Sequence, residues 1–463
     1  MTEQLKLKLN DSKATRWGAL VIVAFTMMAA YYVNDVVAPL KTMLETDLAW
    51  SSTDFGFFTG GYSFLNVFFL MLSWGGLILD RFGIRFTGKL ATILMVGGTA
   101  LEYYAMTGLA GADATLFGIN EIFGYKTGVF VAFAGYSIFG VGAEVAGITV
   151  SKIIAKWFKG KELATAMGVQ VALARIGSQA GYAVAIPLAR AFGISTPVLL
   201  GLVLLLGGMI AFFIFAVMDK KLDKQMEAAA IAAGTEDEEE KFSFKDVKNI
   251  LVNPGFWLIA LLCVLFYSCV FPFQKFASEL MIIKYGINEN VAGTFAGLPA
   301  LGALILTPVF GGFIDKRGKS ASIMLLGSAM LICVHFIYAI PDINYWLVAI
   351  VLMIILGIAF SLVPSAMWPA VAKIFPVSQL GTAYALIFFI QNIGLWGIPT
   401  LIGWVLDAYC ISGKKPDGTN MYDYTVPMCI FTGIACLSLI VALLLKKADK
   451  KYGYKLEEPN IQK

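Results

Sequence analysis

Apolar stretches of about 20 residues recur along almost the whole chain, too many and too long for any soluble domain to bury. They begin near Trp17, Asp54, Phe86, Thr127, Lys161 and Ser195, and again near Gly255, Val291, Ser320, Tyr345, Ser378 and Thr425. With 59% hydrophobic and only 14% charged residues, the pattern predicts an all-α membrane protein of about twelve transmembrane helices. The helices should form two pseudo-symmetric bundles of about six. The expected boundaries are a tail at 1–16, an N-terminal bundle at 17–218, a linker at 219–254, a C-terminal bundle at 255–446 and a tail at 447–463.

Charge sets the orientation. Most of the 35 Lys and Arg fall on one side if the helices start in the cytoplasm, so both termini are expected there. That count leaves Arg175 and Lys275 as the cations inside apolar segments. The basic residues form no stripe, so nucleic acid is not an expected partner; the bilayer is. Of the six cysteines, Cys410 alone falls near the outer face and no pairing is implied. The single histidine, His335, is expected to pack or bond between helices, and no metal or cofactor is expected. The basic N-terminal tail runs into a full-length span and does not read as a signal peptide. The acidic run TEDEEE in the linker reads as a solvated charge cluster.

A repeat flanks the linker. GGLILDRFGIRFTGK holds Gly76, Asp80, Arg81, Gly83 and Arg85, and GGFIDKRGK holds Gly311, Asp315, Arg317 and Gly318. Gly76, Asp80 and Gly83 precede Gly311, Asp315 and Gly318 by the same 235 residues. Glycine suits close approach or a tight turn at a helix end, and Asp with Arg or Lys can make hydrogen-bonded charge contacts between helix ends, a conformational latch. On this repeated loop the chain resembles the major facilitator superfamily, whose signature lies between the second and third helices and is echoed between the eighth and ninth.

Residues 171–179 read VALARIGSQ and place a cation deep in an apolar span. Arg175 lies about 13 residues, or about 20 Å, from Glu162, where its span begins. Glu144 lies about 12 residues, or about 18 Å, from Lys156 at the end of the preceding span. The two share a level. An ion there costs at least ~2.5–3.5 kcal/mol, so both need a partner or a wet cavity. Either they form a permanent ion pair that serves packing, or they line a central cavity and grip opposite ends of a zwitterion. Buried ion pairs add little over apolar packing, and charges within spans commonly mark a transport path, which favours the second reading.

The stretches FGVGAEVAGITVSKIIAKWFKGKELATAMGVQVALARIGSQ, VFPF, AMWPAVAK and QLGTAYALIFFIQNIG resemble the branch of the superfamily that contains the lysosomal dipeptide transporter of vertebrates. That resemblance implies a passive dipeptide carrier, with Glu144 on the peptide ammonium and Arg175 on its carboxylate. Tyr62, Asn66, Trp368, Gln391 and Asn392 are candidates for secondary contacts, against packing or interhelical hydrogen bonds as their ordinary roles. Asp35 and Lys275 read as nearer the outer face, where a lysine ordinarily snorkels.

The expected mechanism is alternating access of the two bundles in a protein that works as a monomer, with uniport favoured by the resemblance and any accessory subunit unknown. GVGAEVAG at 140–147 and the less regular glycine-ended stretch GIPTLIG at 397–403 would let helices approach and slide. Two alternatives stand beside it: a proton-coupled symporter or exchanger of small organic anions, and a non-transporting receptor or scaffold. No nucleophile–base pair or phosphate loop points to an enzyme. The N-terminal tail lacks the relative's dileucine signal, so a bacterial plasma membrane is the expected location.

Overall fold

The computed structural model describes residues 8–111, 114–158, 161–233 and 244–459. The TEDEEE run lies outside them. The first half contains α1 (Lys13–Val36), α2 (Lys41–Leu48), α3 (Ser52–Phe68) and α4 (Met71–Thr107). A small hairpin of β1 (Glu121–Ile122) and β2 (Tyr125–Lys126) leads to α5 (Thr127–Trp157), α6 (Leu163–Phe192) and α7 (Thr196–Ala233). After α8 (Phe244–Val252), the second half runs through α9 (Pro254–Tyr285), α10 (Glu289–Ala296), α11 (Leu298–Arg317), α12 (Ser320–Ala339), α13 (Trp346–Ile374) and α14 (Val377–Tyr409). A hairpin of β3 (Ile411–Lys414) and β4 (Asn420–Tyr422) precedes α15 (Thr425–Tyr452).

Among the described residues, nine helical stretches are long and apolar enough to cross a membrane, and the pair Ser52–Phe68 with Ser73–Thr107, bent by 63°, adds up to a tenth. Two local features account for the twelve spans. Gly83, at φ 74° and ψ 174°, breaks α4 into the end of one span and the start of the next. Helix α6 has 30 residues, long enough to span, but Gln170, Arg175, Gln179 and Arg190 make it less apolar than its neighbours. This is a multi-pass membrane protein.

Helices α1 and α3–α7 pack among themselves, as do α9 and α11–α15; the halves meet where α3 crosses α14 and α6 crosses α10 and α11. The α3–α14 crossing is backbone on backbone. A methyl group on Gly56 would lie 2.4 Å from the Pro399 carbonyl oxygen and 3.0 Å from the Gly403 Cα. Of the two glycines at 397 and 403, Gly403 makes this close approach, whereas Gly397 has open space where a Cβ would go.

The signature loops share a glycine at positive φ, although the second adds a left-handed residue, Lys319. Gly318, at φ 71°, ends α11 in the same left-handed half of conformational space as Gly83. Gly76 and Gly311 have open space where a Cβ would go, so close approach does not explain them. Asp80 pairs with Lys152 on α5 at 2.9 Å, and Arg85 reaches Asp223 at 3.0 Å and Asp219 at 3.8 Å on α7. In the second half Asp315 acts electrostatically on Lys373 near the end of α13. Arg81 and Arg317 instead lie over the rings of Phe82 and Phe313. Asp80 and Arg85 of the first loop therefore reach other helices, whereas Arg81 and Arg317 lie on aromatic rings of their own helices.

Beyond α15 the chain folds back across the termini face. Lys319 N and Ser320 N donate to the Glu457 and Leu456 carbonyls at 3.1 and 3.0 Å. The Glu457 carboxylate accepts from Ser322 N and Oγ at 2.8 and 2.9 Å, and Leu456 is fully buried. The C-terminal segment is thus docked onto the α11–α12 loop.

Candidate functional site

A cavity of about 610 Å³ opens between the bundles. Its wall includes Ser151 and Val171 toward the termini face, both exposed, and Asn34 and Lys275 at the other end. Polar contacts between the bundles cluster at that other end. Lys275 Nζ on α9 donates to the Asn34 carbonyl at 2.6 Å and to Asp35 Oδ1 at 3.2 Å on α1. Further out, Lys41 Nζ sits between Glu45 Oε1 and Glu279 Oε2, each at 2.5 Å, and Lys415 of the β3–β4 hairpin approaches the same two carboxylates at 3.5 and 3.4 Å. Asp407 of α14 accepts from Thr53 N at 2.5 Å and from Thr53 Oγ1 at 2.6 Å, capping the first turn of α3 from the opposite bundle. These contacts close the cavity on the face away from the termini.

Glu144 and Arg175 both line the cavity and both are half-buried. Among the described residues no ion pair joins them. Glu144 Oε1 accepts a hydrogen bond from the Tyr62 hydroxyl at 2.9 Å. The Arg175 guanidinium lies 5.5 Å from the ring centroid of Tyr31 and 5.0 Å from that of Phe360, one aromatic from each bundle. Aromatic faces stabilise the cation without using its N–H donors. Among the described residues those donors make no hydrogen bond, so the fork is available to an anionic group.

The secondary candidates divide. Tyr62, Trp368 and Gln391 line the cavity. Trp368 stacks on Phe388 with centroids 4.8 Å apart, and Gln391 Oε1 accepts from Cys263 Sγ at 3.4 Å. Asn66 and Asn392 are buried away from it. Asn392 Nδ2 donates to the Phe388 carbonyl one turn earlier in its own helix at 2.9 Å, and its Oδ1 has no partner among the described residues. Asn66 is packed inside the N-terminal bundle, with its amide lacking a hydrogen-bond partner among the described residues.

Lys275 does not snorkel. It is buried and turned across the bundle boundary, because Asp35, the Asn34 carbonyl and the Tyr136 hydroxyl at 3.4 Å offer acceptors nearer than solvent. Lys41, which sequence reasoning did not single out, is fully buried near a span end. Its only sequence signal is Glu45 one helical turn later; the other partner, Glu279, lies 238 residues away. The aromatic lining of Tyr31, Tyr136 and Tyr267 carries no distinguishing spacing. His335 packs as expected, bonding Cys269 O at 3.0 Å beside Phe273 and Phe431. Among the described residues no group of His, Cys, Asp and Glu gathers as a metal site.

The family model described as Major Facilitator Superfamily matches residues 20–398 and 273–458. The lysosomal dipeptide transporter MFSD1 of Homo sapiens is 29% identical over 454 residues, which cover 95% of this chain and 88% of the relative. Among solved structures, a point mutant of the nucleoside transporter NupG superposes with TM-score 0.68 at 12% identity, covering 92% of this chain and 98% of that one. A peptide transporter POT in complex with sulfate gives TM-score 0.65 at 14% identity over 95% of both chains. At such identities these two show the fold alone.

Proposed function

The chain belongs to the Major Facilitator Superfamily, and from that premise we propose that it carries dipeptides across the membrane as a monomeric uniporter by alternating access. The observation that carries this reading is that Glu144 and Arg175 share one cavity without neutralising each other. A site with one free carboxylate and one free guanidinium fits a solute with an ammonium at one end and a carboxylate at the other. The naming of the human relative as a dipeptide transporter supports the same solute.

In this proposal Glu144 holds the peptide ammonium and Arg175 its carboxylate, with Tyr62, Trp368 and Gln391 contacting what lies between. The excess of Lys and Arg puts both termini in the cytoplasm, in a bacterial plasma membrane, so the cavity described here faces inward. The contacts of Asp80 with Lys152 and of Arg85 with Asp219 and Asp223 act as the latch of the N-terminal bundle.

Uptake of a labelled dipeptide into proteoliposomes with no pH gradient tests the proposal. Saturable uptake that persists with a protonophore is expected. Uptake that collapses under the protonophore, or is competed by small dicarboxylates, assigns the cavity to coupled anion transport instead, and binding without flux marks a receptor.

A further inference from the structure

The ammonium site and the closed end of the cavity are joined by two tyrosines. Tyr62 on α3 donates to Glu144 at 2.9 Å, and its ring lies 5.7 Å from that of Tyr136 on α5. The Tyr136 hydroxyl donates to the Asn34 carbonyl at 2.7 Å and receives Lys275 Nζ at 3.4 Å. Lys275 is the residue that holds Asp35 across the bundle boundary, and Asp35 is fixed in turn by the Ser178 hydroxyl at 2.5 Å. A continuous path therefore runs from Glu144 to a contact between bundles.

That path has little slack. A Cβ on Gly140 would lie 2.1 Å from the Tyr62 carbonyl oxygen, so α3 and α5 touch backbone to backbone at this level. The Tyr136 ring is buried, stacked on Phe58 with centroids 5.0 Å apart and on Phe139 at 5.8 Å. Close-packed groups of this kind pass a displacement on instead of absorbing it.

We propose that Tyr136 is a positioning residue that couples occupation of Glu144 to release of the Asp35–Lys275 contact. This rests on the dipeptide reading given above. While the site is empty, Tyr62 donates to a bare carboxylate, a charge-assisted bond. An arriving ammonium supplies three donors and cancels that charge, which weakens the hold on Tyr62. Tyr62 then shifts against Tyr136, whose hydroxyl loses its alignment with Asn34 and Lys275. The tie between bundles loosens only when the carrier is loaded.

Replacing Tyr136 with phenylalanine keeps the ring and removes the hydroxyl. Spin labels at Asp47 and Asp342, both exposed on the face away from the termini, report separation of the bundles in full-length protein whose native cysteines are replaced by alanine. Alanyl-alanine serves as the probe. In the parent protein it is expected to bind and to lengthen the label distance. In Tyr136→Phe it is expected to bind with a Kd within about twofold of the parent yet leave the distance unchanged, while maximal uptake falls by about fivefold or more with little change in KM. Lys275→Met provides the second arm, with the longer distance expected both with and without the dipeptide; it also decides the matter if Tyr136→Phe fails to fold. Coupling is refuted if Tyr136→Phe shows the parent's ligand-dependent shift, if Lys275→Met keeps the shorter distance, or if alanyl-alanine binds the parent without moving the labels. Failure of the parent to bind any dipeptide removes the functional reading as well, and so is told apart from failure of the coupling alone.

Discussion

Lys275 on α9 reaches Asp35 on α1 at 3.2 Å, and with this bond the C-terminal bundle places a cation inside the polar interior of the N-terminal one. Both side chains are largely buried. Removing one partner of such a pair strands the other in a poorly solvated site, whereas replacing both with apolar residues does not. Lys275→Met is therefore expected to lower stability in detergent by about 3–5 kcal/mol. The double substitution with Asp35→Leu should recover most of that loss in a thermal unfolding series. Additive losses in the double variant would show that the two residues do not act as a pair.

Arg175 gives the most direct test of the binding site. Arg175→Ala is expected to weaken dipeptide binding by about 2–5 kcal/mol while the protein stays folded. Arg175→Lys should restore only part of it, because a single ammonium cannot match both carboxylate oxygens. Calorimetric titration with alanyl-alanine reads both. Unchanged affinity in the alanine variant would assign Arg175 to the packing of α6.

The two signature-loop glycines should respond differently to the same substitution. Both lie in a positive-φ region that side chains avoid, so alanine strains either backbone by about 1–3 kcal/mol. At Gly83 the added methyl group meets open space, whereas at Gly318 it would lie 2.4 Å from the Glu458 carbonyl carbon. Gly318→Ala should thus lower the melting temperature more than Gly83→Ala. Equal losses would mean that the C-terminal segment yields freely.

Acid should loosen the start of the N-terminal bundle. Hydrogen bonds from Arg16 hold the Glu162 carboxyl below its ordinary range, and Lys161 does the same for Asp11. A depressed carboxylate contributes stability that is present above its unfolded value and lost as pH falls through the folded one. Thermal stability is therefore expected to decline as the pH drops below about 4.5. Glu162→Gln should flatten that decline; a variant with the parent's acid profile would exclude this pair as its origin.

Glu102 on α4 is fully buried, and neither carboxyl oxygen has a hydrogen-bond partner among the described residues. An unsatisfied buried polar group costs about 1–3 kcal/mol. Glu102→Leu, close in volume, is expected to raise the melting temperature of the purified protein. A clear fall would reveal a partner that the carboxyl acquires in another conformation.

Much of the fold was legible because a bilayer tolerates few alternatives. The expected span starts at Thr127, Ser320 and Thr425 coincide with helix starts, and the shared offset of Gly83 and Gly318 corresponds to a shared backbone turn. Glu144 and Arg175 were legible as a pair for a similar reason, since charges at one depth need a common wet space. What escaped was long-range or local in a way that spacing does not encode. Nothing near Lys275 signals Asp35, 240 residues earlier, and nothing near Lys41 signals Glu279. Asn392 reads as a secondary contact in sequence, yet it is buried outside the cavity wall with its Nδ2 on the Phe388 carbonyl.

The docking of Leu456 and Glu457 onto Lys319, Ser320 and Ser322 bears on how the protein is made. Both docking residues follow α15 in the chain, so the ribosome has yet to deliver them when α12 is already in the bilayer. The first half can mature during translation, but the second cannot finish its α11–α12 turn until everything through α15 has emerged. Truncations ahead of Leu456 should accordingly injure biogenesis more than their distance from the cavity suggests.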